Sequence, residues 1–391
     1  MQDDLYNNSL SYLDQCKVAF ASRFAPPFIC SIGTHLLNLE NRKREFFLEH
    51  GRLGNLRVHV FFCAPPGYMK TLMLQKFLDG PTSIVGGCEH IQTGFEGAMT
   101  EAGFTGTIKV VNGEPVKQYG AAYDHREGLL GIDEFAVLTN SMKQDHSVNL
   151  DSAMLTALDS GYCIKRLALG KIQYITDMSL FTGSQPARFN LTSGLGRRFI
   201  FIYFVPTRAE SEEIKASRRL AKTSFPSTTT LHNLRQNLKK IVDTSKSVEK
   251  VIFDKSIYAK LDRLHIPHFE EMLYERVAAG YAMATQNGGD SKLHIAMDPT
   301  LGEMFSKIHG WRMDIKKGAE TTEVFNVVRE MDLCTITQVK NRLTDFGLEY
   351  SQSTQILELL KRQGRITLIQ EKSGLKGGRP ATLVKVLEKD E

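Results

Sequence analysis

Apolar positions change period several times along the chain, and each change predicts a different element. The first 57 residues carry helical spacing: "LSYLDQCKVAFASRF" is amphipathic, and "LENRKREFFLEHG" ends on a helix-stopping glycine. Between 58 and 206, short apolar runs alternate with helical patterns, which argues a parallel α/β sheet. The predicted strands are 58–63, 128–132, 174–182 and 199–204. A polar stretch with Ser224, Pro226, Ser227 and a threonine run at 228–230 reads as a loop. Residues 231–312 read as all-helical, and the segment after Gly318 has a hydrophobic pattern of its own. Three domains are therefore expected, over 1–207, 208–318 and 319–391.

Composition narrows the class. A chain of 391 residues, 42% hydrophobic and 24% charged, is that of an ordinary globular protein. No apolar run approaches the roughly 20 residues that span a bilayer, so no membrane association is expected. The N-terminus, "MQDDLYNNSL", is acidic and polar rather than signal-like. Six cysteines without C-x-x-C spacing read as reduced thiols in a cytoplasmic protein, with no zinc site. The net charge of +5 is compatible with a polyanionic partner.

The candidate chemistry starts at "VHVFFCAPPGYMKTLML", residues 58–74, an apolar strand, a loop and an apolar helix. The loop Ala64, Pro65, Pro66, Gly67, Tyr68, Met69, Lys70, Thr71 follows the phosphate-loop frame G-x-x-x-x-G-K-[ST], with Met69 in place of its last glycine. In such a site backbone N–H groups and the lysine cradle phosphates, while the Ser/Thr hydroxyl holds Mg²⁺. "EGLLGIDEF" (127–135), about 60 residues downstream, is an apolar strand ending in two acids. Asp133 there suits the metal shell and Glu134 suits polarising a water. A strand that merely ends in a solvated acid pair is the ordinary alternative. "SLFTGSQPARF" (179–189) offers Ser184 or Gln185 to a γ-phosphate, and "SGLGRRFIFIYF" (193–204) sets Arg197 and Arg198 before a buried strand.

Taken in order, these segments resemble the AAA+ module of the minichromosome maintenance (MCM) replicative helicases. That family's loop ends in Ala-Lys-Ser/Thr and its acidic motif reads I-D-E-F, as Ile132 to Phe135 do here. Residues 98–135 resemble its insert, whose centre "IKVVNGEPVKQY" is a hairpin pattern turning at Asn112-Gly113. "LTALDSGYCIKRLALGKIQYI" (155–175) resembles its helix and hairpin before the sensor strand, and "ASRFAPPFI" (21–29) its helical approach to the loop. The likeness covers roughly residues 15–207. It implies an ATP- and Mg²⁺-dependent P-loop ATPase core with a helical lid, assembled as a hexameric ring like the family's. In it Glu134 and Gln185 act in catalysis and Arg198 reaches the neighbouring subunit's nucleotide. Hairpin residues Lys165, Arg166 and Lys171 would grip DNA. Met69, Gln185 for asparagine, no clear second sensor arginine, and about 57 residues where the family has a large zinc-bearing N-terminal domain are the departures.

The last domain, "ETTEVFNVVREMD", "TITQVKNRLTDFG" and "SQSTQILELLKRQGRITLI", reads as three helices entering a strand, with Thr335 and Ser351 as N-caps and Gly347 and Gly364 as stops. A glycine-rich basic tip and a second strand follow, the pattern of a winged helix. Lys361, Arg362, Arg365, Lys372, Lys376, Arg379 and Lys385 face one acid, Glu371, over 361–385, a footprint for phosphate backbone. The expectation is an MCM-like motor acting on single- and double-stranded DNA in replication, of archaeal or mobile-element type, with room for a partner protein. The alternatives are an ATP-dependent initiator or transcription regulator without unwinding, suggested by "AGFTGT" (102–107), and a degenerate ATPase kept as a scaffold.

Overall fold

The computed structural model describes residues 4–44, 47–48, 51–52, 55–65, 67–97, 99–133, 156–184, 198–206, 208–285, 291–331, 333–345, 350–362, 365–370 and 381–387. The chain divides into two compact units, Met1–Arg312 and Met313–Glu391, with the boundary inside the helix Pro299–Met331.

The first unit is α/β and centres on a five-stranded, wholly parallel sheet. Its strands are β1 (His59–Cys63), β2 (Thr93–Glu96), β3 (Leu129–Ile132), β4 (Ser179–Ser184) and β5 (Phe199–Tyr203), in the spatial order β5-β1-β4-β3-β2. Residues of β1, β3 and β4 are buried throughout, as expected for strands covered on both faces. Phe28 and Phe77 stack at 4.9 Å, and Phe181 meets Phe28 edge-on at 5.0 Å, tying helices to the sheet. The helices Pro26–Arg44 and His268–Thr285 cross with backbones almost touching. A Cβ on Gly33 would lie 2.5 Å from the Gly280 carbonyl oxygen, so only glycine fits there.

Four of the five sheet strands were legible in the sequence within a residue or two, apart from one merger. The predicted strand 174–182 is two: Gly170–Ile175 closes a hairpin with Tyr162–Leu167, and β4 begins at Ser179. Between them the carbonyls of Thr176 and Met178 accept hydrogen bonds from the Arg57 guanidinium, which takes that backbone out of any ladder. β2 lacks a strong pattern because it is a half-buried edge strand containing Gly94. The region 231–312 is not all-helical: Lys250–Phe253 and Lys292–Ile295 pair in parallel, and Phe47–Leu48 and Gly51–Arg52 extend that small sheet. The threonine run 228–230 is the first turn of the helix Thr228–Ser247, because Ser227 caps it by accepting from the Thr230 N–H at 3.0 Å. The hairpin Thr107–Gln118 turns at Asn112 and Gly113 (φ 52° and 86°), as expected.

In the second unit the strands Cys334–Thr335, Thr382–Val386 and Ile366–Gln370 form an antiparallel sheet with Thr382–Val386 in the middle. Helices Ile336–Asp345 and Tyr350–Arg362 pack on it through Val339, Leu343, Leu357 and Leu360. Thr335 caps the first, its hydroxyl accepting from the Gln338 N–H at 3.2 Å. Ser351 is not a cap, since its helix starts at Tyr350; Gly347 and Gly364 lie outside the described residues.

Two buried histidines make the first unit sensitive to acid. His35 Nε2 faces the Glu127 carbonyl at 3.2 Å, so it carries the proton and Nδ1 accepts from the Ser179 hydroxyl. His59 Nε2 likewise faces the Leu158 carbonyl at 2.8 Å, while Nδ1 accepts the Leu180 N–H at 3.0 Å. Protonating His59 Nδ1 sets it against the Leu180 N–H and loses that bond, whereas the Ser179 hydroxyl beside His35 Nδ1 can turn to accept. Burial pushes the His35 pKa down to about 4, and burial with the nearby Arg57 charge pushes His59 well down also. The unfolded chain binds these protons near pH 6.5, whereas the folded chain binds that of His35 only near 4 and that of His59 only well below 6.5, so stability present above 6.5 is lost as pH falls below it. For His35 alone the loss is about 3 kcal/mol, at 1.36 kcal/mol per pKa unit. Urea midpoints measured from pH 7 to 4.5 should fall, and less steeply in His35→Gln. Parallel curves would exclude the histidine as the cause.

Candidate nucleotide site

The loop after β1 enters the helix Lys70–Leu78, and the helix start brings N–H groups and a positive dipole end to one place. Ala64 continues the strand edge, its N–H donating to the Ser184 carbonyl at 3.2 Å. β4 lies between β1 and β3, so the crevice at the C-terminal ends of these three strands is where an open parallel sheet binds ligands.

Three predicted residues converge there. Lys70 is largely buried and its Nζ donates to the Ala64 and Pro65 carbonyls at 2.6 and 2.9 Å. Its stem lies against Gly183, where a Cβ would sit 3.2 Å from Lys70 Cδ and 3.0 Å from the Phe62 carbonyl oxygen. Thr71 donates to the Asp133 carboxylate at 2.7 Å, across 62 positions of sequence. Two oxygen ligands meeting at a strand end suit Mg²⁺, which keeps several waters and takes substrate phosphates as further ligands. Among the described residues no group of three or more His, Cys, Asp and Glu converges, so no all-protein metal cage competes with this pair.

Met69 stands where the phosphate-loop frame has glycine, yet its bulk does not crowd the loop. Its side chain is not in the mouth of the loop but in the core, 3% exposed among the apolar cluster. The backbone bears the consequence: φ is 56°, a left-handed value unfavourable for a side chain of this kind. The Lys70 N–H closes a tight turn there by donating to the Tyr68 carbonyl at 2.7 Å.

Arg198 lies at the other end of the sheet. It precedes Phe199, which pairs with His59, the first residue of β1, while the loop follows Cys63, the last. Four strand steps at about 3.3 Å put some 13 Å between the two ends. Arg198 is ion-paired to Asp159 at 2.8 Å, with Arg276 among its charged neighbours.

The hairpin Tyr162–Ile175 carries the other basic candidates. Lys165 donates to the Gly106 carbonyl at 3.1 Å and so braces one hairpin on the other. Arg166 and Lys171 stand opposite each other in register, a like-charge cross-strand pair that is destabilising unless an anion joins it. In the second unit Lys361 is exposed, whereas the Arg365 guanidinium is stacked 3.7 Å from the Phe325 ring centre. Pro66, Glu134, Gln185, Arg197, Lys372, Lys376 and Arg379 lie outside the described residues, as does the Arg362 side chain.

Sequence reading missed three contributors. Arg57 holds the hairpin base to β1, Asp159 holds Arg198, and the helix Arg208–Ala221 touches the loop after β1, with Arg218 donating to the Gly67 carbonyl and Ser211 bonded to Tyr68 at 3.3 Å. Ser211 and Arg218 are seven apart and so share a helix face, a legible fact, but nothing local says which surface that face meets. No helix among the described residues is long and apolar enough to cross a membrane. No protein-family model matches the chain, and no curated protein matches it.

Proposed function

We propose that the chain is an MCM-like AAA+ ATPase that binds ATP with Mg²⁺ and works as a hexameric, ring-shaped DNA translocase in replication. The observation that carries this reading is the Thr71–Asp133 contact beside Lys70, at the strand ends where β4 separates β1 from β3. Lys70 binds the phosphates, Thr71 and Asp133 hold the metal, and Glu134 orients the attacking water. Gln185, following Ser184 at the end of β4, senses the γ-phosphate. Held by Thr71 and Asp133, a Mg²⁺ ion would supply charge neutralisation for the transferred phosphoryl group.

The distance of Arg198 from its own loop supports a role across a subunit boundary, where it stabilises charge on the neighbour's nucleotide. The opposed Arg166 and Lys171 support a phosphate-backbone contact on the hairpin. The two helices and three-stranded antiparallel sheet of the second unit support the winged-helix reading, with Lys361 and the basic tip for duplex DNA.

Mixing two dead variants tests the trans arrangement. Neither Arg198→Ala nor Glu134→Gln should hydrolyse ATP alone, but a co-assembled mixture should regain partial activity at interfaces that pair sound residues. Co-assembly without regained hydrolysis excludes Arg198 as the trans residue.

A further inference from the structure

We infer that Arg218 is a second phosphate cation of the nucleotide site, parked on the loop's own backbone until a nucleotide takes it. The inference rests on the nucleotide reading above and extends it to a helix which that reading leaves without a task. Three donors that a polyphosphate would attract are held by loop carbonyls: Lys70 Nζ by Ala64 and Pro65, the Lys70 N–H by Tyr68, and the Arg218 guanidinium by Gly67. The loop thus fills its own anion site with its own carbonyls.

Arg218 is not needed to anchor its helix. The first turns of Arg208–Ala221 are already tied down by the Arg23–Glu210 ion pair at 2.9 Å, by Ser211 on Tyr68, and by Ile214, which is buried. Arg218 is exposed in the last turn, so its guanidinium can turn without opening the core. A carbonyl offers a neutral acceptor, whereas a phosphate offers charged oxygens that match the planar guanidinium bidentately. The exchange therefore favours the phosphate, and it loosens the helix from Gly67 as it does so. Nucleotide occupancy would then be reported to the helix that follows β5.

The test uses the full chain and a fluorescent ATP analogue with Mg²⁺. Arg218→Ala should weaken binding about tenfold or more, as loss of a charge-assisted contact does. Arg218→Lys should recover part of the loss, and Arg219→Ala, which removes an equal charge one residue away, should stay within about twofold of the wild type. Amide exchange should show the loop and residues 208–221 both responding to the analogue in the wild type, but only the loop in Arg218→Ala. The inference falls if Arg218→Ala binds as well as Arg219→Ala or the wild type, if it binds more tightly, or if its helix still responds. Those results leave the nucleotide site standing provided Lys70→Ala loses binding. Binding unchanged in Lys70→Ala overturns both.

Discussion

Lys70→Ala is expected to weaken binding of a fluorescent ATP analogue at least about a hundredfold, the equivalent of about 3 kcal/mol. The magnitude follows from where the ammonium sits. Lys70 opens the helix Lys70–Leu78, is largely buried, and holds its Nζ at the Ala64 and Pro65 carbonyls rather than in solvent. A charge already desolvated at the ligand site needs little further desolvation to meet a phosphate, so its electrostatic contribution is kept rather than screened. Thermal unfolding of the variant should fall modestly, because the Ala64 carbonyl that loses this donor is buried while Pro65 is half-exposed. Loss of binding together with loss of folding would be uninformative, so both are measured on one preparation. Binding retained by a folded Lys70→Ala would put the nucleotide elsewhere.

The second large effect concerns folding. Arg57→Met is expected to destabilise the first unit by about 3–5 kcal/mol, the range for removing one partner of a buried charged network. The Arg57 side chain is 1% exposed. It donates to the Thr176 and Met178 carbonyls at 3.1 and 2.9 Å, to the Ala157 and Asp159 carbonyls at 3.0 and 3.3 Å, and to the Asn55 side chain at 3.0 Å. One guanidinium thereby satisfies backbone groups on both sides of the hairpin Tyr162–Ile175 and fixes Asp159, the partner of Arg198. Methionine keeps much of the volume but takes its donor from the buried Thr176, Met178 and Ala157 carbonyls, while the Asp159 carbonyl keeps the Asn55 amide. Lysine keeps the charge but has a single nitrogen that cannot reach both sets, so Arg57→Lys should recover little. An unfolding free energy from urea titration of Arg57→Met within about 1 kcal/mol of the wild type would contradict this account.

The parts of the site that were legible in the sequence are those whose signals are local. A strand, a loop and a helix over residues 59–78, an apolar strand ending at Asp133, and a hairpin turning at Asn112-Gly113 each carry their own period and turn chemistry. Lys70 and Thr71 at a helix start and Asp133 after a strand could be placed because their neighbours announce those ends. Thr335 was found as a cap for the same reason, and the acid-sensitive histidines, by contrast, left no trace beyond a letter in an apolar run.

Sequence alone therefore determined β1, β3 and β5 and the groups at their ends, but not the edge strand β2, the small strands Lys250–Phe253 and Lys292–Ile295, or the helix start at Thr228. Tertiary structure decided who meets whom. Hydrophobic periodicity records that a face is buried and is silent about its partner, so the insertion of β4 between β1 and β3 could not be read from any one strand. Hydrogen-bond partners chosen across the fold, Arg57 with the carbonyls of 157–178, Arg198 with Asp159, and Arg218 with Gly67, depend on packing over long separations. Met69 makes the same point at one residue. Its bulk was visible in the sequence, but only the packed core could turn that bulk inward and leave the strain in the backbone.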